Sequence, residues 1–226
     1  KKEIMAAKDF VYQPPEGALD IIHVDDDVIV LNKPAGLLSV PGRLDAHKDC
    51  LQTRVQSQFP SALTVHRLDM ETSGIVIMAL NKAAQSALAR QFQERETEKT
   101  YIARVYGRLK EQSGTVEAPL ICDWPNRPMQ MVDYDNGKPS TTHYKVLAHE
   151  TETTLVELTP VTGRSHQLRV HMLHLGHVIV GDRLYATGSA LAFSDRLHLH
   201  SQSLTFTHPI SDKRLTFESN APFVSA

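Results

Sequence analysis

Segment 66–74, which reads HRLDMETSG, places a carboxylate at Asp69 two residues after a guanidinium at Arg67. The apolar run 75–79 follows directly and has the length and composition of a buried strand. Side chains beside a rigid strand are positioned more accurately than side chains on a free loop. The segment therefore predicts a site for acid–base or nucleophilic chemistry around Asp69.

Segment 162–171, which reads TGRSHQLRVH, is the second stretch that could take part in chemistry. If a helix begins near Ser165, the apolar residues at i, i+4 and i+7 from Leu168 form its core face. Arg164 then lies at the positive end of the helix dipole, where a cation is slightly unfavourable. Two interpretations remain open, a partner anion for Arg164 and a solvent-facing arginine.

Other chemistries have weaker support in the sequence. The four histidines between 166 and 177 suggest a metal-dependent hydrolase, but they lack a His-Glu-x-x-His pattern, so we do not expect a metal site. Segment 163–167 lacks the second glycine of a Gly-x-Ser-x-Gly elbow. A phosphate-binding loop and a dinucleotide-binding glycine motif are also missing from the sequence.

Composition indicates a globular protein. The 226 residues are 41% hydrophobic and 22% charged, which excludes disordered and fibrous classes. The net charge of −2 gives no global argument for a nucleic-acid partner, so any such argument must be local. Cys50 and Cys122 form no Cys-x-x-Cys pair, and no apolar run reaches the roughly 18 residues of a membrane span. With no signal-peptide pattern either, we expect a cytoplasmic protein.

The coarse element pattern predicts a layered α/β or α+β domain. A hairpin is expected from residues 21–31, helices from about 50–59 and 81–94, and strands at 101–106, 142–147 and 154–158. Residues 1–20 are predicted to be an N-terminal arm, and residues 21–226 a single domain. Pro34 and Gly36 predict a turn that holds the Lys33 ammonium at a loop edge, although an ordinary surface lysine fits equally well.

Several motifs, taken in order, resemble those of the RluA family of RNA pseudouridine synthases. They read KPAG at 33–36, HRLDMETSG at 66–74, KTY at 99–101 and GRSHQLR at 163–169. The segments 181–185, 196–200 and 208–209 are similar to the family's C-terminal signatures. The resemblance covers nearly the whole chain after Ile21 and is closest to members without an S4 RNA-binding domain. Ser165 stands where many relatives have threonine, which keeps the hydroxyl.

The resemblance implies isomerisation of uridine to pseudouridine in RNA, without cofactor or metal. It also implies an α+β fold with a mixed, mostly antiparallel sheet, flanked by helices and loops, and an active-site cleft over the sheet. Asp69 matches the essential aspartate, which acts on the ribose either as a nucleophile or by removing the 2′ proton. Tyr101 matches the tyrosine that stacks on uracil and helps to take the C5 proton. Arg164 matches the basic residue that pairs with Asp69.

RNA-binding roles follow from the same resemblance. Leu168 would form an apolar wall against the base, and Arg67 would fill the gap left by a flipped nucleotide, with a structural salt bridge as the alternative. We expect His66 to be a buried imidazole. Phosphates would meet a local basic surface. Its members are predicted to be Lys33, Arg43, Arg90, Arg95, Lys99, Arg104, Arg108, Arg127 and Lys138.

The expected partner is RNA, with a 23S ribosomal stem-loop and a transfer-RNA anticodon loop as targets. No membrane or protein partner is implied, and we expect a monomer. A noncatalytic RNA-binding module is the remaining alternative class. Against it, the sequence has neither a KH loop nor an RNP aromatic motif.

Overall fold

A ten-stranded sheet organises residues 10–225, the part of the chain that the computed structural model describes. The strands are β1 (Ile21–Val24), β2 (Val28–Lys33), β3 (Leu63–Thr64), β4 (Ser73–Ala79), β5 (Glu98–Tyr106), β6 (Ser113–Glu117), β7 (Leu120–Cys122), β8 (Gln130–Val132), β9 (Thr141–His149), β10 (Thr153–Pro160), β11 (Leu199–Thr207) and β12 (Arg214–Glu218). Strands β7 and β8 form a separate two-stranded sheet. The helices are α1 (Leu51–Gln58), α2 (Lys82–Gln93), α3 (Gln167–Leu175) and α4 (Gly188–Ala192), with 3-10 turns at Asp45–His47 and Trp124–Asn126.

The strand order of the large sheet is β1-β2-β4-β11-β5-β10-β9-β6, with β3 on β4 and β12 on β11. Within the described residues, only β4 and β11 pair in parallel, with His200 opposite Ser73. Strand β11, late in the chain, therefore lies at the centre of the large sheet and joins the half built from β1–β4 to the half built from β5, β6, β9 and β10. The predicted α+β class with a mixed, mostly antiparallel sheet is confirmed.

Strands β2 and β4 are apolar on both faces because helices cover both sides of this half of the sheet. Val30 and Ile77 pack with Leu88 of α2 in one cluster. Leu31 and its neighbours pack with Val55 of α1 in another. All seven residues of β4 are buried, which explains the uninterrupted apolar run recognised in the sequence.

The two N-terminal helices form where they were predicted. Asn81 caps α2, its Oδ1 accepting the backbone N–H of Ala84 at 2.9 Å. Cys50 precedes α1 and accepts the backbone N–H of Thr53 through Sγ at 3.5 Å. The β1–β2 hairpin and the β9–β10 pair also agree with the sequence patterns.

Helix α3 begins at Gln167, two residues later than the pattern at Ser165 suggested. His166 adopts the left-handed conformation, with φ 55°, and ends the preceding loop. The Gln167 side chain holds that loop, since its Oε1 accepts the Thr162 hydroxyl at 2.7 Å and the Arg164 backbone N–H at 3.1 Å. Arg164 is therefore a loop residue rather than part of the first helical turn.

Residues 10–20 of the predicted arm contain neither helix nor strand, and residues 1–9 lie outside the described part. Tyr12 in this segment is buried; its hydroxyl donates to the Asp49 carbonyl at 2.8 Å and accepts the Leu38 N–H at 3.0 Å. None of the helices described has the length and apolar character needed to cross a membrane.

Candidate active site

A cavity of about 730 Å³ opens over the sheet between the 66–72 loop, strand β5 and the start of α3. It brings together the predicted catalytic residues, the candidate for filling the flipped-base gap and the apolar wall residue. They are Arg67, Asp69, Tyr101, Arg164 and Leu168. Their elements are far apart in sequence, so the cavity exists only in the folded chain.

The Asp69 loop is fixed from below by buried polar contacts. Ser39 exchanges hydrogen bonds with the backbone of Leu68, accepting its N–H at 3.1 Å and donating to its carbonyl at 2.8 Å. The fully buried Lys33 ammonium donates to the Met70 carbonyl at 3.0 Å. These contacts hold the backbone on both sides of Asp69.

The same loop is fixed on its downstream side by Gly74. The residue has φ 116°, and a Cβ atom there would lie 2.2 Å from the Ser201 carbonyl oxygen. Only glycine permits both this backbone conformation and this close approach of β4 to β11. The final glycine of the HRLDMETSG motif therefore seats the Asp69 loop on the central strand.

The arginine that meets Asp69 is Arg169, and the predicted pairing with Arg164 is wrong in this structure. Arg169 Nη1 lies 3.3 Å from Asp69 Oδ2. The Arg164 guanidinium instead donates to the Pro139 carbonyl, at 3.3 Å from Nε and 3.1 Å from Nη2. Arg164 still lines the cavity, and a catalytic role for it remains a prediction.

Arg169 is held by a buried carboxylate that the sequence analysis gave no role. Its Nε and Nη2 donate to both oxygens of Asp182, at 2.8 and 2.6 Å, in a bidentate pair. Asp182 is fully buried, and only 3% of the Arg169 side chain is exposed. A second acid, Glu71, lies 3.4 Å from Arg169 and 2.7 Å from Arg183. The guanidinium beside Asp69 therefore has a fixed position and orientation.

Electrostatics keep this arginine charged. Burial by itself lowers the pKa of Arg169, but its hydrogen bonds to Asp182 and the charges of Asp182, Asp69 and Glu71 outweigh this effect and raise the pKa above its usual value. The cation is therefore permanent, and it faces the half-buried Asp69 carboxylate from below.

Tyr101 lies in the cavity wall on β5 and contacts the apolar clusters on both sides of it. Burial, together with the Asp69 charge, raises the pKa of Tyr101 to about 12. The resting phenol is therefore protonated at neutral pH, and its predicted part in taking the C5 proton stays a prediction. Its ring is well placed as an apolar wall.

For the isomerisation of uridine that the resemblance implies, we expect Tyr101→Phe to reduce turnover less than Tyr101→Ala does, because phenylalanine keeps the ring and loses only the hydroxyl. A general acid–base contribution from the hydroxyl is worth about 10²-fold or more. Single-turnover rates of the two variants separate the roles. Equal loss in both variants would contradict a role for the ring that is independent of the hydroxyl.

Two residues of the predicted basic surface, Lys33 and Arg104, are buried and cannot contact RNA in this structure. Lys33 is fully buried and donates to the carbonyls of Pro34, Leu37 and Met70, so its predicted role in substrate binding is wrong. Burial lowers the pKa of Lys33 to about 7, and the Asp69 charge opposes this shift. Arg104 is also buried, and it pairs with Glu150 at 2.8 Å.

Arg127 lies outside the cavity lining and is exposed, with its guanidinium carbon 4.4 Å from the centre of the Trp124 ring. His66 is partly exposed at the edge of the cavity, and its ring is held by structural contacts. Its Nε2 accepts the Ile77 N–H at 3.0 Å, and its ring stacks on Phe92.

The histidines of segment 166–177 do not converge. His171 is buried between the Thr142 hydroxyl, at 2.7 Å, and the Ala118 carbonyl, at 2.9 Å. The other three contact different partners, and the only potential metal-ligand group among the described residues lies elsewhere. Nothing in this arrangement favours the hydrolase alternative.

Buried imidazoles predict acid sensitivity of the fold. Burial is the main reason that the pKa of His66 falls to about 3 and the pKa values of His198 and His200 fall to about 4. Below about pH 6.5 the unfolded chain therefore binds protons that the folded chain refuses, so stability falls as the pH drops towards 4. Urea denaturation at about pH 7.5 and pH 5 measures the loss; a midpoint that rises on acidification would contradict the assignment.

Comparison with known proteins places this geometry in context. The family model described as RNA pseudouridylate synthase matches residues 27–174. The "Dual-specificity RNA pseudouridine synthase RluA" of Escherichia coli strain K12 and that of Salmonella typhimurium strain LT2 are each 55% identical over 214 residues, covering 94% of this chain and 98% of the relative. The solved structure of "Human RNA Pseudouridylate Synthase Domain Containing 1" has a TM-score of 0.78 and 32% identity, covering 94% of this chain and 88% of that one.

Proposed function

This chain belongs to the family of RNA pseudouridylate synthases, and we propose on that premise that it isomerises uridines to pseudouridine in two classes of structured RNA. The carrying observation is the placement of Asp69, a partly exposed carboxylate at the floor of a nucleotide-sized cavity, with the buried Arg169 behind it and Tyr101 beside it. Cavities of this volume are typical for small ligands.

The reaction needs no redox partner. The bond between uracil N1 and ribose C1′ breaks, the base turns, and C5 forms a new bond to C1′. The proton on C5 leaves and N1 gains one, so the product is an isomer of the substrate. The Asp69 carboxylate acts on the ribose, either by adding to C1′ or by removing the 2′ proton, and both routes require it to be ionised.

The cavity walls define how the uridine is held. Chemistry at C1′ and C5 requires the nucleotide to leave its stack, which costs a few kcal/mol. We propose that the flipped uracil lies between the Tyr101 ring and Leu168, whose side chain is buried in the wall. Arg67 is exposed at the cavity rim, where it is placed to occupy the space that the flipped base leaves. Arg164 is a further cation of the cavity lining, and we propose that it serves the reaction from that position.

The proposed targets are a 23S ribosomal RNA stem-loop and a transfer-RNA anticodon loop. Support comes from the two relatives described as dual-specificity enzymes, which match this chain over 94% of its length. Both proposed targets offer unpaired bases, which proteins read far more easily than paired ones. Because such RNAs are found in the cytoplasm, we propose that the protein acts there.

The test is release of tritium from RNA labelled at C5 of uridine. We expect the protein to release tritium from both the ribosomal stem-loop and the anticodon stem-loop, at an unchanged rate in EDTA. RNA labelled at C5 of cytidine is the matched control and should release none. If tritium is released from neither uridine-labelled RNA, the proposed activity is refuted. If EDTA lowers the rate, a metal-dependent mechanism is supported instead.

A further inference from the structure

The only tryptophan of the chain, Trp124, is exposed in the 3-10 turn between β7 and β8. Trp124 keeps 68% of its surface exposed although the Arg127 guanidinium lies over its ring, 4.4 Å from the centroid. Arg127 Nη1 also donates to the Trp124 carbonyl at 2.8 Å, which fixes the pair. The pair therefore presents an exposed aromatic face together with a fixed cation, a combination that suits binding of a base and its phosphate.

The segment that carries this pair is rigid. Trp124 opens the 3-10 turn between β7 and β8, and Asn126 Nδ2 donates to Asp123 Oδ2 at 2.9 Å within it. Below the turn, Leu120 of β7 packs in a buried cluster with Val170 of α3. The ring is therefore presented by a braced hairpin and not by a loose loop.

The same hairpin is continuous with the wall of the catalytic cavity. Gln130 of β8 donates its backbone N–H to the Tyr185 hydroxyl at 2.8 Å. That hydroxyl also hydrogen-bonds His166 Nδ1 at 2.6 Å, and His166 lines the cavity. After β8, the Pro139 carbonyl accepts a hydrogen bond from the guanidinium of Arg164, which also lines the cavity. The hairpin is thus connected by hydrogen bonds to two residues of the cavity wall, His166 and Arg164.

A second exposed aromatic, Tyr134, follows β8 in the same segment, with 69% of its surface exposed. Its hydroxyl lies 3.3 Å from His174 Nε2 on α3, and the two rings are 6.3 Å apart. The nearby acids Asp123 and Asp133 accept hydrogen bonds from neighbouring turn residues. The surface thus combines exposed rings with a cation held against one of them.

We propose that the Trp124–Arg127 pair is a stacking platform for an unpaired nucleotide of the substrate RNA, next to the flipped uridine. This deepens the proposed function and rests on it. Single-stranded bases stack on aromatic side chains, and the adjacent guanidinium suits the phosphate that accompanies each base. Stacking uses the face that every base possesses and does not read hydrogen-bonding edges. A platform of this kind accepts two RNA loops of different sequence.

Because Trp124 is the only tryptophan, its fluorescence reports directly on the platform. The protein is used as the Asp69→Asn variant, so that substrate is bound without conversion. We expect an anticodon stem-loop RNA to quench the emission. A perfect duplex of the same strand with its complement has no unpaired base and should leave the emission unchanged. Equal quenching by both RNAs, or none by either, would overturn the proposal.

Substitution gives the second measurement. In the same background, Trp124→Ala should weaken stem-loop binding about 5- to 150-fold, since stacking of one base contributes about 1–3 kcal/mol and 1.4 kcal/mol corresponds to tenfold. Trp124→Phe should recover most of the affinity, because it restores a ring. Ile210→Ala removes another strongly exposed apolar side chain, in the turn between β11 and β12, and should bind like the parent.

Unchanged binding by Trp124→Ala, or equal weakening by Ile210→Ala, would reject the platform. These outcomes are distinct from failure of the proposed function. If the platform alone is wrong, the unsubstituted enzyme still releases tritium from uridine-labelled RNA. If the function is wrong, that release is absent whatever Trp124 does.

Discussion

Replacing Asp69 with asparagine is expected to reduce pseudouridine formation by about 10⁴-fold or more while RNA binding persists. The amide has the same shape but can neither attack C1′ nor remove a proton from the 2′ hydroxyl. Arg169 keeps its bidentate partner Asp182, so the fold should survive the change. Single-turnover tritium release measures the chemical step, and filter binding with the same RNA measures affinity.

Asp26→Asn is the control for this substitution. Asp26 is an exposed acid in the turn between β1 and β2, outside the cavity lining, and its variant should keep the rate of the unsubstituted protein. Turnover by Asp69→Asn within about tenfold of that rate would show that the carboxylate does not carry the chemistry.

Replacing Arg169 with methionine is expected to remove both stability and activity. The change leaves Asp182, which is fully buried, without its cation, and breaking such a pair costs about 3–5 kcal/mol. It also removes the positive charge beside Asp69. Urea denaturation followed by circular dichroism measures the free energy of unfolding, and tritium release measures turnover.

Arg164→Met is the matched control, since it removes the same kind of side chain only five residues away. Its guanidinium is exposed and bonded to a single backbone carbonyl, so the loss of stability should stay below about 1 kcal/mol. If Arg164→Met destabilises the protein as much as Arg169→Met, the assignment of the buried pair is wrong.

A double variant separates stability from chemistry. Adding Asp182→Asn to Arg169→Met neutralises the orphaned carboxylate while keeping an oxygen for the backbone N–H groups of Leu184 and Tyr185. Part of the lost stability should return, but turnover should stay low because Asp69 still lacks its cation. Recovery of turnover together with stability would show that Arg169 matters only for folding.

Local signals explain what the sequence predicted well. The helix expected from about 81–94 was predicted correctly as α2, because its cap at Asn81 and its buried Ala84 and Leu88 lie within one or two turns of one another. The contiguous apolar run of β4 likewise reported its own burial. The membership of Asp69, Tyr101 and Leu168 in one cavity followed from the resemblance, because no local pattern connects them.

Long-range partners explain what the sequence did not give. Arg164 and Arg169 lie in one motif, and the choice between them depends on where α3 begins and on Asp182, whose burial has no local signature. Lys33 looked like a loop-edge cation because one of its acceptors, the Met70 carbonyl, lies 37 residues away. The sequence pattern predicted one buried apolar face for α3 and so gave no sign that Arg169 is buried. In the structure residues 167–172 are all buried, on every side of the helix.

The central position of β11 has a consequence for when the enzyme can first act. Gly74 at the end of the Asp69 loop rests against Ser201, and Ser73 hydrogen-bonds His200, 127 residues later in the chain, at 2.7 Å. During translation, Asp69 is therefore made long before the strand that seats its loop. We therefore expect a nascent chain that stops short of β11 to carry the reactive carboxylate without a formed site, and modification of RNA to begin only once that strand has left the ribosome and docked.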